Sequence, residues 1–268
     1  MTALANEAGR GALAHRAAAA RATRVDAVSP AGPVGGIAFD VPDVLYDATL
    51  RRRSVLQLVG HLGVRVGYAE FYRAWDAHLV DVHRGRRECA EALESFLLAC
   101  GLSWAQVDEI EAASRIQRPN LEIGVRPLPG VVRAIGELAK LGLPLAAWAD
   151  TPHTAAKLAE LLNRLVPGTC FDAVLTSFDL ECTQPAAECY RAMLGALGLP
   201  AEQVVYVGHD TAHLAGARAA GLRTVAFNFE PAAGADHYLT CFDDLLALAK
   251  TWSIVPRSSR RRAGAALS

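Results

Sequence analysis

Two short stretches of this chain carry side chains whose types and spacing could do chemistry. In "GIAFDVPDVLYD", residues 36–47, the carboxylate of Asp40 follows a short apolar run, and Pro42 stands two residues later. In "YVGHDTAH", residues 206–213, His209 follows a second apolar run. A carboxylate can act as a covalent nucleophile, and a histidine can act as a base because its pKa lies near neutrality. We therefore interpret Asp40 as a candidate nucleophile and His209 as a candidate base.

The elements that position these residues alternate between strand and helix. Strands are predicted at 36–40, 143–150, 172–177, 203–210 and 222–227, and helices at 128–142, 153–165, 185–197, 211–221 and about 241–251. Strands and helices that alternate with short turns predict the α/β class, with a parallel sheet covered by helices on both faces. Ligands of such sheets bind beyond the carboxyl ends of the strands.

Residues that could form a site follow four of the predicted strands. They are Asp40, Pro42, Asp43, Asp150, Thr151, Ser177, Asp179, His209, Asp210 and His213. Since the carboxyl ends of parallel strands meet at one edge of the sheet, we expect these residues to lie together.

The chain is predicted to divide into a core, a helical insertion and two tails. Residues 36–47 and 126–252 form the predicted α/β core. Residues 48–125 carry apolar side chains at spacings of three and four, which predicts a helical domain inserted after the first strand. Residues 1–35 and 253–268 are predicted to be disordered tails, the second of them basic.

The composition of the chain narrows the classes of partner and site that we expect. The net charge of −1 gives no reason to expect nucleic acid as a partner. No apolar run reaches the roughly 20 residues of a membrane span, so no membrane is expected either. The six cysteines include no CxxC pair, which predicts reduced thiols rather than a zinc site or a disulfide framework. These properties predict a cytoplasmic protein.

Four stretches, taken in order, resemble the motifs of the haloacid dehalogenase superfamily. "FDVPDVLYD" resembles the first motif, FDxDGTLxD, and "LAAWADTPHT" resembles the second, a strand ending in Ser/Thr-Asn. "FDAVLTSFDLECTQP" resembles the third, in which Lys-Pro follows a strand and turn, and "VVYVGHDTAHLAGARAAGLRTV" resembles the fourth, VGDxxxD. The resemblance runs from about residue 36 to 250. It implies a Rossmann-like hydrolase, most often a phosphatase, with a helical cap of the C1 type after the first motif.

The resemblance also implies a demanding chemistry. In the family, an Asp attacks phosphorus, and an Asp two residues on protonates the leaving group. Further acids hold Mg²⁺ together with the nucleophile, a Lys neutralises the crowded anions, and a Ser or Thr holds a phosphate oxygen.

Most positions of that machinery are replaced in this chain. Asp40 stands at the nucleophile position, and Pro42 stands at the acid position and offers only its backbone carbonyl. Ala149 and Asp150 replace the Ser/Thr-Asn pair, Gln184 replaces the Lys, and His209 and His213 replace the acids of the fourth motif. The resemblance implies Mg²⁺ as the cofactor, but His209 disfavours it because this ion prefers hard oxygen ligands, and no other cofactor is indicated.

The sequence therefore predicts a phosphatase-type hydrolase whose standard activity is weak or lost, since losing an acid/base alone costs about 10²–10⁴-fold. The predicted ligand is a small anion or phosphorylated metabolite held by the Pro42 carbonyl, Asp150, Thr151 and Gln184, and any metal would lie at Asp40 and Asp210. One alternative is a non-catalytic binding or regulatory protein. Another is a Mg²⁺-independent 2-haloacid dehalogenase, a branch that lacks the second Asp but keeps the Lys that Gln184 replaces.

Overall fold

A computed structural model of the chain describes residues 32–169 and 171–255, without the side chains of Leu50, Arg51 and Arg118. Most of both predicted tails, 1–31 and 256–268, lies outside the described residues. The two ends of the described chain lie side by side. Val34 is buried and pairs with Ile254, and its N–H donates to the carbonyl of Ser253 at 2.8 Å.

Six parallel strands form one sheet, which confirms the predicted α/β class. The strands are β1 (Gly36–Asp40), β2 (Leu145–Ala149), β3 (Ala173–Thr176), β4 (Val204–Gly208), β5 (Arg223–Phe227) and β6 (His237–Leu239). Their order in the sheet is β3-β2-β1-β4-β5-β6. β1 therefore lies between β2 and β4, and the chain changes direction across the sheet next to it.

Ten α-helices connect or flank the strands of the described chain. They are α1 (Thr49–His61), α2 (Tyr68–His83), α3 (Cys89–Ala99), α4 (Trp104–Ile123), α5 (Val131–Lys140), α6 (Ala155–Leu165), α7 (Ser177–Leu180), α8 (Ala187–Leu197), α9 (Thr211–Ala219) and α10 (Phe242–Ala249). None of the helices within the two described ranges is long and apolar enough to cross a membrane.

Both faces of β1 are buried, because alternate residues of a strand point to opposite faces of the sheet. Ile37 and Phe39 pack into one apolar cluster with α5 and α10, while Ala38 packs into a second cluster with α8 and α9. This double burial explains why β1 reads as a continuous apolar run. It also means that Asp40, at the end of the strand, is almost completely buried from solvent.

Helices α1 to α4, here called the helical insertion, follow β1 and share an apolar cluster of their own. Phe71 and Trp75 of α2 pack against Phe96 of α3, with ring centroids 5.1 and 5.0 Å apart. Ser103 and Gln106 form a capping box at the start of α4, as their spacing predicts. The insertion is thus packed internally as well as attached to the core.

The short elements β6 and α7 are absent from the sequence-based assignment. β6 has three residues, too few for a period-2 pattern to stand out. Asp236, directly before β6, is joined to β5: its carboxylate accepts hydrogen bonds from the N–H and the hydroxyl of Thr224 at 2.8 and 3.0 Å. α7 is a single turn of four residues directly after β3, capped by the hydroxyl of Thr176.

Candidate active site at the carboxyl edge of the sheet

The turn after β1 closes without the backbone N–H that Pro42 lacks. The N–H of Val41 donates to the carbonyl of Trp148 at 2.9 Å, and that of Leu45 donates to the carbonyl of Val41 at 2.9 Å. Asp43 has a φ of 58°, and its N–H donates to the carbonyl of Tyr46 at 2.8 Å. Proline is tolerated here because no ladder or turn bond needs its nitrogen. It cannot supply the proton that the resemblance assigns to this position.

Two histidine rings face the same oxygen of Asp40. Nδ1 of His213 lies 3.1 Å from Oδ2 of Asp40, and Nδ1 of His209 lies 3.6 Å from it. Asp40 is only 3% exposed. Burial acts to raise the pKa of this carboxyl, but the contacts and charges of the two histidines, with the hydrogen bond of His213 among them, outweigh it and hold the pKa well below its usual range. Asp40 is therefore an anion whose charge is balanced by imidazole rings.

The pKa values of the two histidines shift in the opposite direction. Burial lowers the pKa of His213, but the hydrogen bond and charge of Asp40, with the charges of Asp210 and Asp150, raise it to about 9. For His209, burial is likewise outweighed by Asp40 and Asp43, so its pKa is raised above the ordinary value. Both rings thus favour the protonated form beside the carboxylate.

His209 lies between two carboxylates. Its Nε2 is 3.6 Å from Oδ2 of Asp43, on the side opposite Asp40. Asp43 is 3% exposed, and its Oδ1 accepts a hydrogen bond from the N–H of Ala48 at 3.0 Å. The amide of Asn228 donates to the Asp43 carbonyl at 3.0 Å. These contacts fix the turn after β1 so that both carboxylates face the His209 ring.

The helical insertion contributes a cation that sequence reasoning did not assign to the site. The guanidinium of Arg52, in α1, forms an ion pair with Asp43 and lies 5.0 Å from the ring centroid of Tyr72. Asp76 also faces this region from α2: burial raises its pKa to about 6, the charge of Arg52 opposes that rise, and Asp210 adds to it. The only sequence signal was the arginine run at 51–53, because nothing local indicates which face of α1 meets the core.

Asp150 lies at the end of β2 and is held by two donors. Nε1 of Trp148 donates to its Oδ1 at 3.1 Å, and the N–H of Gln184 donates to its Oδ2 at 3.1 Å. Burial raises the pKa of this carboxyl to about 7, with His213 opposing and Asp40 adding to the rise. Nε2 of His213 is 3.9 Å away, so Asp150 belongs to the same cluster of charges.

The other predicted ligand-binding residues are engaged within the core. The side-chain amide of Gln184 donates to the hydroxyl of Tyr206, in β4, at 2.9 Å. The N–H of Thr151 donates to the hydroxyl of Ser177 at 2.9 Å, and that hydroxyl donates to the carbonyl of His83 in α2 at 2.8 Å. Gln184 thus supplies no charge where the resemblance places a lysine, and Ser177 joins the insertion to the core.

The donors around Asp40 do not fit a Mg²⁺ ion. The carboxylate of Asp210, a predicted metal position, caps α9 by accepting the N–H of His213 at 2.8 Å. A protonated imidazole has no lone pair to offer a metal, and Mg²⁺ prefers oxygen in any case. Among residues 32–169 and 171–255, no group of three or more His, Cys, Asp or Glu could hold a metal ion.

Comparison with known proteins supports the motif-based resemblance. The model of the haloacid dehalogenase-like hydrolase family matches residues 34–221 of this chain. A glyceraldehyde 3-phosphate phosphatase of Methanocaldococcus jannaschii is 26% identical over 65% of this chain and 76% of its own length. A phosphoglycolate phosphatase of Yersinia pseudotuberculosis is 25% identical over 80% of this chain and 92% of its own length.

A solved structure shares the fold. CbbY of Rhodobacter sphaeroides, crystallised with xylulose-1,5-bisphosphate, superposes with a TM-score of 0.55 at 24% identity, over 80% of this chain and 98% of that one. Similarity at this level shows the fold alone. Together with the family match, it confirms the Rossmann-like architecture that the motifs indicate.

Proposed function

This chain belongs to the haloacid dehalogenase-like hydrolase family, and we propose that it binds a small phosphorylated metabolite at Asp40 but has lost rapid Mg²⁺-dependent hydrolysis. One observation carries the proposal: Oδ2 of Asp40 faces the rings of His213 and His209, at 3.1 and 3.6 Å. In this arrangement the rings supply the positive charge that the family's chemistry takes from Mg²⁺.

The missing proton donor supports the same conclusion. Pro42 cannot protonate a leaving group, and the loss of a positioned acid typically costs about 10²–10⁴-fold in rate. Gln184 is neutral and bonds to Tyr206, so a charge-stabilising donor is missing as well, with a typical cost of about 10²–10³-fold. These losses are not simply multiplied, because the members of a catalytic unit act together.

The relatives and the charges of the insertion support the class of ligand. The two phosphatase relatives are named for activity on small phosphorylated molecules. In this chain Arg52 carries its charge to the edge of the site, where it pairs with Asp43. We assign residues 48–125 the role of a cap over the core formed by 36–47 and 126–252. In this role Arg52 leaves Asp43 and pairs with the phosphate of the ligand.

A second candidate function is slow hydrolysis without a metal. It is favoured by the position of His209 between Asp40 and Asp43, 3.6 Å from each carboxylate. In this candidate Asp40 attacks phosphorus, and the leaving oxygen takes a proton from the His209 imidazolium. The neutral ring then accepts a proton from the water that hydrolyses the phosphoaspartate. The dehalogenase alternative lacks such support, since the position of its lysine is filled by Gln184.

The two candidates are separated by one assay. Phosphate release from glyceraldehyde 3-phosphate and 2-phosphoglycolate is measured with Mg²⁺, Mn²⁺, Zn²⁺ or EDTA, and ligand binding is followed in parallel by calorimetry. A binding protein gives heat without turnover, whereas the metal-independent hydrolase gives turnover in EDTA that is lost in Asp40→Asn. Asp108→Asn, an exposed change on α4, is the matched control. Fast turnover that needs Mg²⁺ and Asp40 would contradict both candidates.

A further inference from the structure

Two cysteines outside the charged cluster lie in direct contact. Sγ of Cys182, in the turn after α7, is 3.1 Å from Sγ of Cys189, in the first turn of α8. A disulfide bond needs about 2.05 Å between the sulfurs, so a closure of about 1 Å would join them. Cys189 is buried and Cys182 is half-buried. The Cys182 thiol can therefore be reached from solvent, whereas the Cys189 thiol is shielded from it.

We propose that Cys182 and Cys189 are a thiol–disulfide modification site, oxidised by a small-molecule disulfide. The Cys182 thiolate attacks one sulfur of the oxidant, forms a mixed disulfide and releases one thiolate. Cys189 then gives up its proton and attacks Sγ of Cys182, which forms the intramolecular bond and expels the second thiolate. Two protein thiols are oxidised, and the oxidant is reduced to two thiols.

The environment of the two sulfurs fixes the order of these steps. Burial raises the pKa of the Cys189 thiol, and its contact with Cys182 adds to the rise. Cys189 is therefore a poor first nucleophile, since only the thiolate attacks. The half-buried Cys182 reacts with the oxidant first, and the resolving step is the slower one.

The bond would enclose a segment that links the insertion to the charged cluster. Residues 182–189 include Thr183, whose hydroxyl accepts a hydrogen bond from Arg84 of the insertion at 2.9 Å. They also include Gln184, whose N–H donates to Asp150 at 3.1 Å. Closing this ring removes conformational freedom from the unfolded chain, so the oxidised form should be more thermostable. We expect Tm to rise by about 5 °C.

The test uses the full chain incubated with oxidised glutathione and then alkylated. A protease that cleaves after glutamate separates the two cysteines at Glu188, so the product is two peptides joined by a disulfide. We expect this linked pair as the main product, with a matching rise in Tm. Reduction of the product should restore both free thiols and the original Tm.

Single variants distinguish the pair from general thiol oxidation. Cys189→Ser should trap glutathione on Cys182, and Cys182→Ser should form no link and show no rise in Tm. Cys100→Ser removes an exposed thiol and should behave as the parent protein. Should Cys189→Ser not fold, the Cys182→Ser result decides alone, because that thiol is half-buried. Oxidation confined to Cys100 and Cys241 would overturn the proposal, and a link without a rise in Tm would overturn its effect on the segment.

Discussion

The two sides of the candidate site treat their polar residues differently. On the histidine side, formed by Asp40, Asp43, His209 and His213, ionic groups alternate and neutralise one another. On the amide side, formed by Asp150, Thr151, Ser177 and Gln184, most polar groups are tied by hydrogen bonds to backbone or to one another. One side is therefore held by paired charges and the other by a network of hydrogen bonds.

The two sides differ in how their buried carboxylates are compensated. A buried carboxylate at the end of β1 must be compensated, because an isolated buried charge is costly. In this chain two imidazole rings stand beside that carboxylate. On the amide side the buried carboxylate of Asp150 is instead compensated by hydrogen bonds from Trp148 and from the N–H of Gln184. The residues around it connect β2, the turn before α8 and the helical insertion.

The largest effect should come from Asp40→Asn, which removes the anion that both histidines face. The pKa of His213 is raised from 6.5 to about 9, so the stabilisation from pairing is fully present below pH 6.5 and is lost as the pH rises through about 9. The free energy of unfolding should therefore fall by about 3 kcal/mol at pH 6 and by much less at pH 10. Urea denaturation at the two pH values measures the difference. An equal loss at both would show that the pairing does not stabilise the fold.

The next effect tests the cation from the insertion. Arg52→Gln removes the arginine partner of the buried Asp43 carboxylate and leaves it only His209 as an ionic partner, and we expect the free energy of unfolding to fall by about 1–2 kcal/mol. Binding of a phosphorylated ligand should weaken about tenfold, since one charge-assisted contact is lost. The control is Arg53→Gln, an exposed neighbour that should change stability by less than about 0.5 kcal/mol. Equal effects of the two variants would remove Arg52 from the site.

Asp150 offers a pH test of the amide side. Its pKa is raised to about 7 by burial, so the ionised form is disfavoured in the folded state. That penalty is absent below the unfolded pKa of 3.8 and grows until the pH passes about 7. Asp150→Asn should thus gain about 1–2 kcal/mol of stability relative to the parent between pH 4 and pH 8. A constant difference across that range would mean that Asp150 is not desolvated.

The smallest effect should come from Ser177→Ala. The variant removes the hydroxyl that joins the N–H of Thr151 to the carbonyl of His83. We expect a loss of about 1 kcal/mol in urea denaturation, together with faster amide exchange at the C-terminal end of α2. Unchanged exchange there would indicate that other contacts suffice to hold the insertion against the core.

The sequence predicts the strands and helices of the core well because they depend on patterns within short segments of the chain. Alternating apolar runs and helical periods give five of the six strands, and strand ends bring Asp40, Asp150 and His209 to one edge. The spacing of His213 in the sequence also places it at the start of the helix that follows β4. These inferences need only periodicity and the rule that parallel strands end together.

What the sequence misses depends on contacts between distant segments. Arg52 reaches Asp43 only because α1 docks with one particular face toward the core, and a run of three arginines does not show which one turns inward. Gln184 faces Tyr206 rather than the charged cluster, which the motif alignment does not indicate. Asp210 caps α9, and its neighbour one residue earlier faces Asp40, since one step along the chain redirects a side chain.

In the proposed function the two imidazole rings take the electrostatic role of a metal ion beside Asp40. Calorimetric titration of Mg²⁺ into the parent protein and into the double variant His209→Asp, His213→Asp measures whether they do. We predict no binding heat for the parent at millimolar Mg²⁺ and measurable binding for the variant, which regains oxygen donors. Tight Mg²⁺ binding by the parent that disappears in Asp40→Asn would contradict the account.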